Sequence, residues 1–153
     1  MNLTISDIKW AAEECERQRS GELSVAWMCY ALGWMRDYDR SGVTDHDMQG
    51  IVGMLGSQVE PIVNRDGFRR VEVRVGWVNM PPASQVHRLV NNLCDEGSYL
   101  TPAEWFREFE EIHPFRDGNG RTGAILFNWM NGTLDDPVTA PDFWNPSHPN
   151  YQT

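Results

Sequence analysis

The chain has 153 residues, of which 41% are hydrophobic and 23% charged; that is enough for one domain with a full core, too short for two ordinary ones, and not the makeup of a disordered chain. Thirteen basic against twenty-two acidic residues leave a formal charge of −9, which argues against a broad surface for nucleic-acid polymers or acidic membranes, since both require clustered positive charge. Seven Trp and seven Met predict a core rich in large side chains.

The amino terminus shows no charged-then-apolar leader pattern, and no apolar run approaches the ~18 residues of a membrane span. Cys15, Cys29 and Cys94 are odd in number and widely spaced, so neither a disulfide framework nor a zinc knuckle is expected, and the cytoplasm is the expected location. Ser6 is a candidate cap for a first helix with Ile8, Ala11, Ala12 and Cys15 on one face, ending near Ser20-Gly21. Leu23, Ala26, Trp27, Tyr30, Ala31 and Trp34 recur at helical spacing and predict a second helix buried on that face. Thr44 is the expected cap of a third helix through Met48, Ile51, Val52 and Leu55, with Asp47 at the capping-box position.

The period then changes. Arg70 to Val75 alternates strictly, with a β-branched residue at every second place, and predicts a half-exposed strand in a hairpin bracketed by Gly76 and Pro81-Pro82. Val86, Leu89, Val90 and Leu93 mark a fourth helix. Thr101-Pro102-Ala103-Glu104 combines an N-cap, a proline in the first position and a glutamate in the third; the helix it starts carries Phe106, Phe109 and Ile112 up to His113. A last helix is expected from about Arg121 to Met130, stopped by Asn131-Gly132, with an irregular tail over 132–153. The expected fold is all-α, mostly helical, with one small β-hairpin, in a single domain over 1–153.

Chemistry concentrates in His113-Pro114-Phe115-Arg116-Asp117-Gly118-Asn119-Gly120-Arg121-Thr122-Gly123, a helix end, a small-residue loop and a new helix start. Gly118 and Gly120 permit backbone conformations in which successive N–H groups converge on an anion, and the N-terminus of the next helix favours phosphate. Arg121 offers a planar fork to phosphate oxygens. Asp117 suits Mg²⁺, which takes few carboxylates together with phosphate oxygens and water. His113, with a reference pKa near ~6.5, suits a general base. Each of these features alone has a plain structural explanation; together, within nine residues, they make a set for phosphoryl or nucleotidyl transfer.

The same segment resembles the signature of the Fic (Fic/Doc) family, His-Pro-Phe-x-Asp/Glu-Gly-Asn-Gly/Lys-Arg-x-x-Arg. Upstream, Gly67-Phe68-Arg69-Arg70-Val71 through Gly76, Asn79 and Pro81-Pro82 are similar to the family's flap hairpin, placing the flap at about 67–80 and the active-site loop at 113–123. The resemblance covers roughly residues 44 to 131. It implies a helical enzyme that transfers AMP from ATP to a Ser, Thr or Tyr hydroxyl of a target protein docked at the flap. His113 would then be the base and Phe115 a buried anchor. Asp117 would position Mg²⁺, Gly118, Asn119 and Gly120 would cradle the phosphates, and Arg121 would stabilise the leaving pyrophosphate. Two departures stand out. The last signature Arg is Ala124, a loss of charge that fits weak ATP use, a different nucleotide or a diphosphate-bearing donor; a catalytically weak module that binds nucleotide or protein is the alternative reading. The sequence reaches Thr153 about where the family usually places the helices that line the base pocket, and Phe143, Trp144 and Tyr151 are the candidates expected to replace them. The family's inhibitory pattern, Ser/Thr-x-x-x-Glu-Gly/Asn, has no match.

Other candidates are weaker. Asp37 to Asp45 begins like a Ca²⁺-binding EF-hand loop, but its twelfth position is Met48, where a bidentate Glu is required. His46, His87 and His148 form no metal-binding pair spacing, and no GxSxG or GxxxxGK motif is present. Charge is uneven on a local scale. Residues 113–124 hold Arg116 and Arg121 against Asp117, and residues 65–74 hold four Arg against two acids, so an acidic chain keeps two basic patches suited to one nucleotide and its surroundings.

Overall fold

The computed structural model describes residues 2–42 and 47–142. Six helices and one two-stranded antiparallel sheet make up its regular structure: α1 (Ile5–Arg17), α2 (Glu22–Ser41), α3 (Met48–Val59), β1 (Arg74–Val75), β2 (Val78–Asn79), α4 (Val86–Glu96), α5 (Pro102–Ile112) and α6 (Asn119–Met130). The mostly helical fold with a small hairpin is as expected. Among the described residues, no helix is long and apolar enough to cross a membrane.

Helix α6 lies in the middle. Every residue from Arg121 to Asn128 is buried, the mark of a helix covered on all sides. It packs on α5 and α3 and touches α1 and α2. Asn128 carries polar groups into this interior and satisfies them locally: its amide nitrogen donates to the carbonyls of Ala124 and Val138, and its oxygen accepts from Val138 N–H at 2.8 Å and from the Thr133 hydroxyl at 2.6 Å. The expected irregular tail is thereby tied to the core as far as it is described.

The faces that the first two helices bury overlap only in part with those the spacing suggested: Ala11, Cys15 and Ala31 are buried as expected. Thr4, not Ser6, caps α1, in a capping box with Asp7. Ile8 is exposed, while Trp10, Ala11, Glu14 and Cys15 are buried. In α2, Leu23 and Tyr30 are more than half exposed, and the core takes Met28, Leu32 and Met35 beside the expected Ala31. An ion pair joins the two helices. Asp7 and Arg36, both buried, meet through two hydrogen bonds of 2.8 and 2.7 Å, and Arg36 Nε donates to the Leu134 carbonyl at 3.0 Å. The guanidinium holds the Asp7 carboxyl down at about 2.

Asp47 is the N-cap of α3, accepting from Gly50 N–H at 2.8 Å, rather than the acidic partner of a cap at Thr44, which lies outside the described residues. The expected strand Arg70–Val75 shortens to Arg74–Val75, paired Arg74 with Asn79 and Val75 with Val78 about a turn in which Gly76 has φ +57°. Its first half is held elsewhere by Arg69, as described below. Helices α4 and α5 follow their sequence signals, including the Thr101–Glu104 capping box. Helix α6 begins at Asn119, two residues before the expected start.

Gly56 of α3 is where the core meets the candidate site, because a Cβ there would collide with the Phe115 ring. Gly56→Ala is expected to destabilise the protein by about 1–3 kcal/mol through overpacking, read by urea unfolding, with the 113–118 loop displaced.

Candidate active site

Helix α5 ends at His113, which takes a left-handed conformation (φ +53°) and turns the chain sharply into the loop. Its ring Nδ1 lies 3.1 Å from the Glu110 carbonyl. A carbonyl can only accept, so Nδ1 carries the proton and Nε2 keeps a lone pair. Burial pushes the imidazole pKa below its ordinary value, with the nearby Arg69 charge acting the same way against the opposing pull of the Glu110 hydrogen bond and of Asp117. The neutral ring is the favoured state.

Phe115 is fully buried between Phe68 and Phe109, with centroids at 5.3 and 6.5 Å, and sets the loop's depth. Asn119 closes the loop: its oxygen accepts from Phe115 N–H and its nitrogen donates to the Phe115 carbonyl, both at 2.8 Å. This corrects the assignment of Asn119 as a loop residue. It lies in the first turn of α6 with Gly120, and because its side chain is committed to Phe115, any contact with phosphate falls to its backbone. Gly118 is the N-cap of α6 at φ +74°, a conformation suited to glycine, and its N–H donates to Asp117 Oδ1 at 2.8 Å.

Arg121 is buried and reaches Glu60 Oε2 at 3.4 Å and Asp117 Oδ1 at 3.6 Å, while its Nε has no hydrogen-bond partner. A donor left unsatisfied at a buried site is costly, which marks a place where an anion would be welcome. Asp117 itself is 61% exposed. Among the described residues no group of three or more His, Cys, Asp or Glu could hold a metal ion, so a dedicated metal cage is not built. A single accessible carboxylate beside an anion-binding helix end does fit Mg²⁺ that arrives on phosphates.

His113, Asp117, Gly118, Asn119, Gly120 and Arg121 all line one cavity of about 750 Å³, together with Arg116 and with Arg74 and Val75 of the hairpin. The structure thus brings these six sequence-predicted residues to one opening, at the start of α6, while the base-pocket candidates Phe143, Trp144 and Tyr151 lie outside the described residues.

Three supporting residues escaped the sequence reading. Asn64, buried, donates to the Asp117 carbonyl at 2.7 Å and the Gly56 carbonyl at 3.1 Å. Glu60 pairs with Arg121. Arg69, also buried, donates Nε to the His113 carbonyl at 2.6 Å, Nη1 to Val71 at 3.0 Å, and Nη2 to Pro81 at 2.7 Å and Ile112 at 3.2 Å; its own N–H goes to Pro114 at 2.9 Å. Pro61 after Glu60, and Gly67 before Arg69, mark turns that could have drawn attention to this stretch.

In this helical fold a histidine, a glycine-bounded helix start and an arginine share one open cavity, an arrangement suited to phosphate. Residues 43–131 match the model of the Fic/DOC family, and the chain belongs to that family. Its members generally transfer nucleotidyl groups to proteins, and membership supports a Fic-type transferase. No curated protein matches the sequence.

Arg69→Lys keeps the charge but cannot serve four carbonyls from a planar fork. It is expected to lower stability by about 1–3 kcal/mol and to speed amide hydrogen exchange in the hairpin 73–80 more than in α6.

Proposed function

We propose that this chain transfers AMP from ATP to a Ser, Thr or Tyr hydroxyl of a target protein. The observation that carries the reading is the tautomer of His113. With Nδ1–H engaged by the Glu110 carbonyl, Nε2 is available as a base beside the anion-binding start of α6. Nε2 takes the hydroxyl proton as the oxygen attacks the α-phosphorus, the bond from that phosphorus to the bridging oxygen breaks, and pyrophosphate leaves with the electron pair. The backbone of Gly118, Asn119 and Gly120 meets the phosphates, and Arg121 offsets charge building on the leaving group. Mg²⁺, held by Asp117 and phosphate oxygens, would add charge neutralisation on the diphosphate.

The hairpin offers the docking edge for the target. Arg74 and Val75 line the cavity, β1 and β2 form a two-stranded sheet with no further strand beside them among the described residues, and Trp77 at the turn is 93% exposed. A target segment added to this edge by backbone pairing would bring its hydroxyl toward His113. A second reading, in which another nucleotide is the donor, is favoured by Ala124, which is fully buried and offers the cavity no charge.

The test is label transfer from α-labelled ATP with Mg²⁺ in a cell lysate, alongside the other labelled nucleotides. His113→Ala is expected to cut transfer by about 10²–10⁴-fold, the usual contribution of a positioned base, and to leave nucleotide binding intact. Binding without any transfer would replace the enzyme reading with that of a binding module. The pH dependence has a definite sign. Because the imidazole pKa is lowered, the ring stays a base through neutrality, and the acid limb of the rate profile should fall below the ordinary ~6.5 of histidine. A limb at or above that value would remove His113 as the base.

A further inference from the structure

The cavity has a wall outside the family match. Arg17, Gln18, Arg19 and Ser20, at the end of α1 and in the turn to α2, line it, whereas the matched segment begins at residue 43. This wall is firmly placed. Glu14, buried in α1, is paired with Arg17 and accepts from Gln18 Nε2 at 3.3 Å and from Ala140 N–H at 3.3 Å. The Gln18 amide oxygen rests so close to Gly120 that a Cβ at that position would collide with it, so the end of α1 abuts the start of α6.

Arg19 is the unusual member. Among the described residues only it and His113 have positive φ without being glycine, at +58° for Arg19. Such a conformation in a residue with a Cβ persists where surrounding structure enforces it and is frequent at functional sites. Here the enforcing contacts are Arg19 N–H to the Glu16 carbonyl at 3.0 Å and Ser20 N–H to the Cys15 carbonyl at 2.8 Å, a closure of the helix end in which glycine is the usual occupant. Arg19 is exposed and lines the cavity, whereas Ala124 contributes no cation. Two basic elements therefore line one cavity: Arg121 with its unpartnered Nε at the start of α6, and the α1–α2 turn beside Gly120.

We propose that Arg19, with Arg17 next to it, forms a subsite for the distal phosphate of a nucleoside polyphosphate, supplying the charge that position 124 lacks. The proposal rests on the nucleotide reading of the cavity and adds which chain segment selects for phosphate number. A monophosphate seated at the start of α6 leaves this subsite unfilled; a triphosphate spans both.

Calorimetric binding of ATP and AMP to the full chain with Mg²⁺ tests it. The unmodified protein should bind ATP more tightly than AMP. Arg19→Asn keeps a residue that tolerates the left-handed turn but removes the charge. It should weaken ATP binding by about tenfold or more, the usual cost of a lost charge-assisted contact, with AMP binding unchanged and Arg19→Lys intermediate. Equal affinities for ATP and AMP in the unmodified protein, no effect of Arg19→Asn, or an equal loss for both ligands would overturn the subsite. The transfer assay separates the two ideas. Transfer from ATP together with equal binding of ATP and AMP sinks the subsite alone, and Arg19-dependent ATP binding without transfer sinks the enzyme reading alone.

Discussion

A guanidinium buried without a carboxylate partner is expensive unless every N–H finds an acceptor. Arg69 offsets most of that cost with main-chain carbonyls alone, its guanidinium making four hydrogen bonds, to those of Ile112, His113, Val71 and Pro81. Burial lowers its pKa, and it is held by charge-assisted bonds to oxygens that would otherwise be orphaned. Ile112 and His113 close α5, where the final carbonyls have no helical partners; Val71 and Pro81 are the two feet of the hairpin. One side chain therefore fixes His113, the base of the proposed reaction, and both ends of the hairpin segment. It also explains the short hairpin. Residues 69–71 are anchored along the loop after α5, so pairing can only begin where the chain leaves that anchor.

Around this clamp the loop is built from one apolar and two polar constraints. Phe115 fills the space that Gly56 leaves and sets depth. Asn119 and Asn64 then use both ends of their amides to hold backbone on either side, Asn119 on Phe115 and Asn64 on Asp117. These side chains relieve backbone groups that a tight buried loop cannot pair with itself. The result is a loop in which Phe115 and Asn119 are used for structure, while the start of α6, Arg121 and His113 line the cavity. Such prior organisation is what stabilises charge without reorganisation during a reaction.

Local chemistry was legible in the sequence where the signal was local. The Thr101–Glu104 capping box, the apolar stripe of α4 and the stop at Gly132 each depend on a few neighbouring residues, and each stands where expected. The faces of α1 and α2 were legible only in part, because each helix offers two plausible stripes and the contact that joins them, Asp7 with Arg36, links residues distant in sequence. The site divides in the same way. His113 to Arg121 are consecutive and could be read together, whereas Glu60, Asn64, Arg69 and the α1 end reach them only through the fold. Asn119 shows the limit within the motif itself. Its residue type suited a phosphate cradle, but the side chain of a loop-closing Asn is also the best local acceptor and donor for the loop's own backbone, and that use prevails.

Net charge and local charge then do different work. The cavity is lined by five arginines against four carboxylates, and two of those carboxylates, Glu14 and Glu110, are buried. Burial pushes the Glu14 carboxyl upward, opposed by Arg17, so the negative charge nearest the α1 wall is paired at close range and screened from the opening. The surrounding surface stays acidic, since the whole chain carries −9. Within about a Debye length of ~8 Å at physiological salt, local cations dominate what a small anion feels, whereas a long polyanion also meets the acidic remainder. The same distribution is therefore compatible with the single nucleotide of the proposed function, while an acid excess of this size disfavours a long polyanion.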